Sequence, residues 1–279
     1  MKSSYYKYFA ALLLFGSNGI VASNINLPSY EIVLLRLLLG SLFLITVFTV
    51  SRQRFTFYRN KHTCLYLFIS ASAMGASWML LYEAYQQVGI SIASLAYYCG
   101  PVIVMILSPF LFRETLTWPK IAGFLTVLAG MCLVNLQALD EGKTIWGLFC
   151  GLMSAFMYAL MVTANKKAKP ESGLENSLLQ LVIGSFIVVA FVSMQKNFVL
   201  SLTTIDWIPV LLLGLLNTGI GCYLYFSSIT DLPVQTVAIC GYLETLSAVV
   251  FSVLFLHEVL LPLQMLGAVL ILGGAIFGE

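Results

Sequence analysis

Shifted by 144 residues, the chain lies upon itself. The stretch Glu31–Ser41 (EIVLLRLLLGS) falls on Glu175–Ser185 (ENSLLQLVIGS) with six of eleven positions identical. The same shift carries Tyr98 onto Tyr242, Ser108 onto Ser252, Glu114 onto Glu258, Leu116 onto Leu260, Gly123 onto Gly267 and Gly130 onto Gly274, with no gap between the blocks. A repeat this long is one folding unit used twice, and for an apolar unit the number of membrane crossings decides how the copies sit. An even number leaves them parallel; an odd number inverts one of them.

The unit is apolar throughout. The chain is 60% hydrophobic and 9% charged, which excludes an ordinary soluble domain. Apolar runs of spanning length follow one another, and we read ten: 5–24, 31–50, 63–82, 92–112, 118–137, 145–164, 176–194, 207–227, 234–256 and 261–278. The fold class expected is an all-α integral membrane protein with five spans per repeat. The short connections leave no room for a separate kinase, gating or catalytic domain, so any chemistry must sit within the bilayer. Lys2 and Lys7 precede the first run, and no small-residue cleavage site follows it, so it is expected to span rather than to be cleaved as a signal peptide. Cys64, Cys99, Cys132, Cys150, Cys222 and Cys240 fall in or at the edge of spans without metal-site spacing, and are expected to pack as small apolar side chains.

Basic residues are sorted by side. Lys2, Lys7, Arg52, Arg54, Arg59, Lys61, Arg113, Lys120, Lys166, Lys167 and Lys169 fall on one face of the predicted topology. Lys143 and Lys196 fall on the other, and Arg36 lies within the second span. Positive charge stays in the cytoplasm, so both termini are expected there. With five crossings per unit the repeats are expected to be inverted. Glu114 would then face the cytoplasm and Glu258 the outside.

Ten short spans in two halves, Pro101 in the fourth, and the ending FLFRETLTWPKIAGFLTVLAG resemble the EamA branch of the drug/metabolite transporter superfamily. The second copy, YLETLSAVVFSVLFLHEVLLPLQMLGAVLILGG, follows the same pattern of a glutamate closing the fourth helix and a glycine-rich fifth. The resemblance covers essentially the whole chain. It implies a first EamA repeat over 1–137 and a second over 145–279, and a central cavity lined by helices 1–4 and 6–9, with helices 5 and 10 outside. It further implies export of amino acids or related small metabolites from a bacterial plasma (inner) membrane, without a cofactor. The partners expected are a small-molecule substrate, lipid and, as an open question, a coupling proton; the assembly expected is a monomer or a homodimer, with no nucleic acid. One departure stands out. The first copy has Gly100-Pro101 where the second has Glu244-Thr245, and without the proline helix 9 is expected to be less kinked.

Glu244 lies near mid-membrane, where a carboxyl must be protonated, paired or facing water. It is a candidate for a substrate ammonium or a coupling proton, the alternative being a helix–helix hydrogen bond. Arg36, always charged, must face the cavity, a carboxylate or the interface. It could hold a substrate carboxylate, pair with Glu31 or Glu244 as an outer gate, or snorkel. Its repeat mate is Gln180. Trp78 and Tyr82, four apart, share a helix face. With Tyr98, Tyr225 and Tyr242 they could wall an aromatic cavity or simply pack helices. Glu83 and Tyr85 read as interfacial belt residues. Asn18 and Asn217 could line the cavity or act as amide glue. Glu114 and Glu258, present in both copies, suggest a structural task such as capping a neighbouring turn. Gly123 with Gly130, Gly267 with Gly273 and Gly274, and Gly214, Gly219 and Gly221 are spaced for close helix approach.

A carrier is the first reading. A membrane enzyme would need clustered acids and histidines, yet the two histidines, His62 and His257, sit at span ends. His257-Glu258 also lacks the second histidine of a zinc-protease motif. A channel would more naturally repeat a ring of polar groups. No nucleotide-binding loop is present, so coupling to ATP within this chain is not expected.

Overall fold

The computed structural model describes residues 2–135, 145–194, 207–256 and 262–278. Among these residues it is entirely helical. Six helices are long and apolar enough to cross a membrane: Tyr30–Val50, Lys61–Val88, Ile145–Ala168, Gly173–Met194, Trp207–Ser228 and Val234–Phe255. Shorter apolar helices cover Cys99–Phe112, Trp118–Leu133 and Met265–Phe277. In a bilayer the backbone must satisfy its own hydrogen bonds, and helices do so within each segment. Large apolar side chains such as Phe110, Phe186 and Ile276 stand on the exterior, as acyl chains allow.

The first apolar run is α1 (Lys2–Gly16) and α2 (Asn18–Ser23), interrupted at Ser17. Next come α3 (Ser29–Val50) and α4 (Lys61–Tyr97). Helical hydrogen bonding runs through α4, yet α4 contains two abutting legs. A Cβ built on Gly151 would lie 3.8 Å from the Cβ of Ala84 and 2.8 Å from that of Ala96. A straight helix would hold those residues about 18 Å apart, so the chain turns back between them.

The fourth run continues as α5 (Cys99–Phe112), followed by α6 (Trp118–Asn135). In the second half, α7 (Ile145–Ala168) and α8 (Gly173–Met194) precede α9 (Trp207–Leu211). That short helix passes into a π-helical stretch, Leu212–Ile220, and then α10 (Gly221–Ser228). The chain ends in α11 (Val234–Gly241), α12 (Leu243–Leu256) and α13 (Pro262–Gly278).

The ninth run lacks the proline of the fourth and is nonetheless not one unbroken helix. It is interrupted at Tyr242, the repeat mate of Tyr98, which interrupts the fourth. Tyr242 N–H donates three residues back to Ile239 O at 3.4 Å. No proline is involved. The interruption is tied to a tertiary contact: Tyr242 is fully buried and its hydroxyl donates to Tyr98 O at 2.7 Å.

Small residues set the packing. A Cβ on Gly130 would meet Gly267 O at 2.6 Å, and one on Gly274 would meet Gly123 O at 2.6 Å. Those two contacts exchange under the 144-residue shift. They join α6 to α13, which pack chiefly on each other, so these glycines serve contacts within the chain. Gly214, Gly219 and Gly221 receive Leu39, Phe43 and Phe15. Gly273 has open space around it. Cys150, Cys222 and Cys240 are buried.

Candidate functional site

A cavity of about 620 Å³ runs into the helix bundle. Its lining includes exposed Ser23 near the α2–α3 connection and, within the bundle, the buried Tyr225 and Phe226. Eight of the residues singled out from sequence line it: Asn18, Arg36, Trp78, Tyr82, Tyr98, Tyr225, Tyr242 and Glu244. They come from five helices and from the breaks at Tyr98 and Tyr242, so the fold brings together what the chain spreads over more than two hundred residues.

Arg36 is 7% exposed and turns inward rather than to the surface. Its Nε donates to Thr218 Oγ1 at 2.9 Å, and its guanidinium carbon lies 4.6 Å from the centre of the Trp78 ring. Stacking a cation on an indole face holds it while leaving its edge open. Glu244 opens α12 and is half-buried. Among the described residues neither Arg36 nor Glu244 stands within 4 Å of an opposite charge. Both side chains line the cavity.

Tyrosines build much of the wall. Tyr98 and Tyr242 pack with ring centres 6.2 Å apart. Tyr158, which sequence reasoning missed, meets Tyr97 edge-on at 5.5 Å, and its hydroxyl lies 3.4 Å from that of Tyr225. Its position had a signal in Gly100: a Cβ there would come within 2.7 Å of the Tyr158 ring. The repeat mate of Glu244 is thus a gap that a tyrosine fills. Tyr85, expected in the interfacial belt, also lines the cavity. Glu83 accepts from Gln87 and from Trp146 Nε1, tying α4 to α7 at its end.

Asn217 lies beside the cavity rather than in its wall. Its amide donates to Leu14 O, Ser17 Oγ and Asn18 Oδ1 at 2.9, 2.9 and 3.0 Å, binding the break between α1 and α2. Gln180, the mate of Arg36, is sealed against Ser70 at 2.9 Å. Sequence symmetry is thus kept in position and lost in chemistry.

Polar contacts, most of them between residues of the two halves, join the α3–α4, α5–α6 and α10–α11 connections. Glu114 accepts from the backbone N–H groups of Val234 and Gln235 at 2.8 and 3.1 Å. It therefore caps α11 across the bundle, not its own turn. Lys120 donates to Gln235 Oε1 at 2.7 Å, and Gln235 donates to Ser108 Oγ at 2.8 Å. Glu175 accepts from Thr56 N, Thr56 Oγ1 and Phe57 N. Lys166 donates to the carbonyls of Thr230 and Leu232, and Ser4 donates to Asp231 at 2.8 Å. Glu258 and His257 lie outside the described residues.

An apolar helical chain built around such a cavity has a matching family model. The model of the EamA-like transporter family matches residues 3–136 and again 145–277. The chain belongs to the EamA-like transporter family. This EamA protein is 26% identical to the uncharacterized transporter YxxF of Bacillus subtilis over 275 residues, 96% of this chain and 86% of that protein. It is 27% identical to the threonine/homoserine exporter RhtA of Escherichia coli K12 over 233 residues, covering 83% and 75%. To a biotin transporter of Salmonella typhimurium it is 21% identical over 202 residues, covering 71% and 67%. A solved crystal structure superposes with a TM-score of 0.84 at 17% identity, over 99% of this chain and 97% of the other. EamA membership makes the chain a multi-pass membrane transporter, and its relatives are transporters rather than enzymes.

Proposed function

We propose that this chain is a secondary carrier that exports amino acids or related small metabolites by alternating access. In this reading, residues 1–137 and 145–279 form two inverted five-span repeats in a bacterial plasma (inner) membrane, with both termini cytoplasmic. The reciprocal glycine contacts and the meeting of Tyr98 with its mate Tyr242 support a two-fold relation between the halves. The positive-inside count supports the orientation. The end of the cavity by Ser23 then opens outward, while the Glu114 and Glu175 contacts close the cytoplasmic side.

One observation carries the substrate reading. An arginine and a glutamate, neither ion-paired, line one aromatic-walled cavity. A zwitterion satisfies both: its carboxylate takes the Arg36 fork, its ammonium the Glu244 carboxylate, and an apolar or aromatic side chain the tyrosine wall. Glu244 is also the group through which a proton would be exchanged for substrate. The fate of RhtA's substrates supports the amino-acid class for a relative of this one.

The deciding experiment is flux through purified protein in proteoliposomes, over a panel of amino acids, with and without a proton gradient. Saturable flux that falls in Arg36→Ala is expected. Absence of flux across a broad metabolite panel would overturn the carrier reading.

A further inference from the structure

We propose that Thr218 is the positioning residue that orients Arg36 for the substrate carboxylate, and that the π-helical winding of Leu212–Ile220 exists to place it. The carboxylate part rests on the functional reading above; the placement of Arg36 does not.

Three observations converge on this hydroxyl. Other helical threonines donate three or four residues back: Thr49 to Thr46 O, Thr46 to Leu42 O, Thr126 to Ala122 O and Thr163 to Ala159 O. Thr218 donates five residues back, to Leu213 O at 2.8 Å, which is the step of a π-helix. A hydroxyl has one proton. With that proton directed at Leu213, the oxygen can only accept, and it accepts from Arg36 Nε at 2.9 Å. The polarity of the contact is thereby fixed.

The methyl of Thr218 is fixed as well. It lies where a Cβ on Gly40 would come within 2.9 Å, and Gly40 is one turn beyond Arg36 on α3. Thr218 is wholly buried, so its rotamer is held on three sides. Arg36 is then clamped between the Thr218 oxygen at Nε and the Trp78 face. A guanidinium can grip a carboxylate side-on, through Nε and one Nη, or end-on, through both Nη groups. With Nε taken, the end-on edge is the one left for a carboxylate. An α-helical register would turn position 218 by part of a turn and lose the acceptor.

Two readouts test this. Trp118, Trp146 and Trp207 are changed to Phe, leaving Trp78 as the sole indole. In that background Thr218→Val, which keeps the shape and removes the oxygen, is expected to shift Trp78 emission as the cation leaves the ring. Thr218→Ser is expected to retain the parent spectrum. No shift in the valine variant overturns the proposal whatever the substrate is. In the second readout, phenylalanine and its decarboxylated amine, phenethylamine, are presented to proteoliposomes. Thr218→Val is expected to raise KM for phenylalanine about tenfold, the order for losing one hydrogen bond to a charged group, with kcat little changed. Serine is expected to restore it, and phenethylamine to be insensitive. If Arg36→Ala leaves phenylalanine flux unchanged, the carboxylate reading fails while the fluorescence result still decides the role of Thr218. If Arg36→Ala raises KM and Thr218→Val does not, the positioning role alone fails.

Discussion

At Arg36 and Glu244 the repeat keeps its backbone and drops its symmetry. Gln180, opposite Arg36 in the repeat, is sealed against Ser70, and Gly100, opposite Glu244, leaves room for Tyr158. These substitutions were legible from sequence as breaks in an otherwise matching pattern. The geometry adds that each break trades a helix-packing residue for one that faces the cavity. Arg36→Lys retains the charge but has neither the Nε that Thr218 holds nor the two-pronged fork. We expect about a tenfold or greater rise in KM for a carboxylate substrate, measured by initial rates in proteoliposomes. Glu244→Gln removes the titrating group while keeping its size. With Glu244 as the proposed coupling group, a parent flux that responds to an imposed proton gradient is expected to lose that response in Glu244→Gln. An unchanged gradient dependence would take Glu244 out of the coupling step. Tyr158 and Tyr85 were not legible. Aromatics in a membrane sequence serve belts, packing and sites alike, and only three-dimensional convergence sorts them.

The apolar runs themselves followed from hydropathy, because burial in lipid is a local property of each run, but the expected gap between 82 and 92 did not, since α4 is helical from Lys61 to Tyr97. Breaks within helices did not. Thr245 replaces the proline that would announce an interruption, and the interruption occurs nonetheless beside the Tyr242–Tyr98 hydrogen bond. The π-helical stretch likewise has no mark in the sequence, since its cause lies in partners more than a hundred residues away. The same holds for Glu114, whose carboxylate meets α11 at the N-terminal end, where unpaired N–H groups and the helix dipole favour an anion. Glu114→Ala should destabilise the detergent-solubilised protein by about 1 kcal/mol, typical of a lost helix cap. It should also raise labelling of a cysteine placed at Gln235. Thermal unfolding and maleimide labelling check the two outcomes. For the glycine seam, Gly130→Ala should lower the unfolding midpoint through a clash costing about 1–3 kcal/mol. Gly273→Ala, with open space around it, should not lower it.

For the molecule as a whole, the proposed orientation predicts which compartment reaches the cavity. A cysteine replacing Ser23 should react with a membrane-impermeant maleimide added outside intact cells, and saturating substrate should slow the reaction. Labelling from the cytoplasmic side alone would reverse the proposed orientation. The seam between α6 and α13 has a consequence of another kind. Gly130 rests on Gly267 and Gly274 on Gly123, so over the two contacts each half supplies one notch and one carbonyl. An interface of that pattern needs no information beyond a single five-helix unit. Such a unit could make both contacts with an upside-down copy of itself, before any fusion joined the two into one chain.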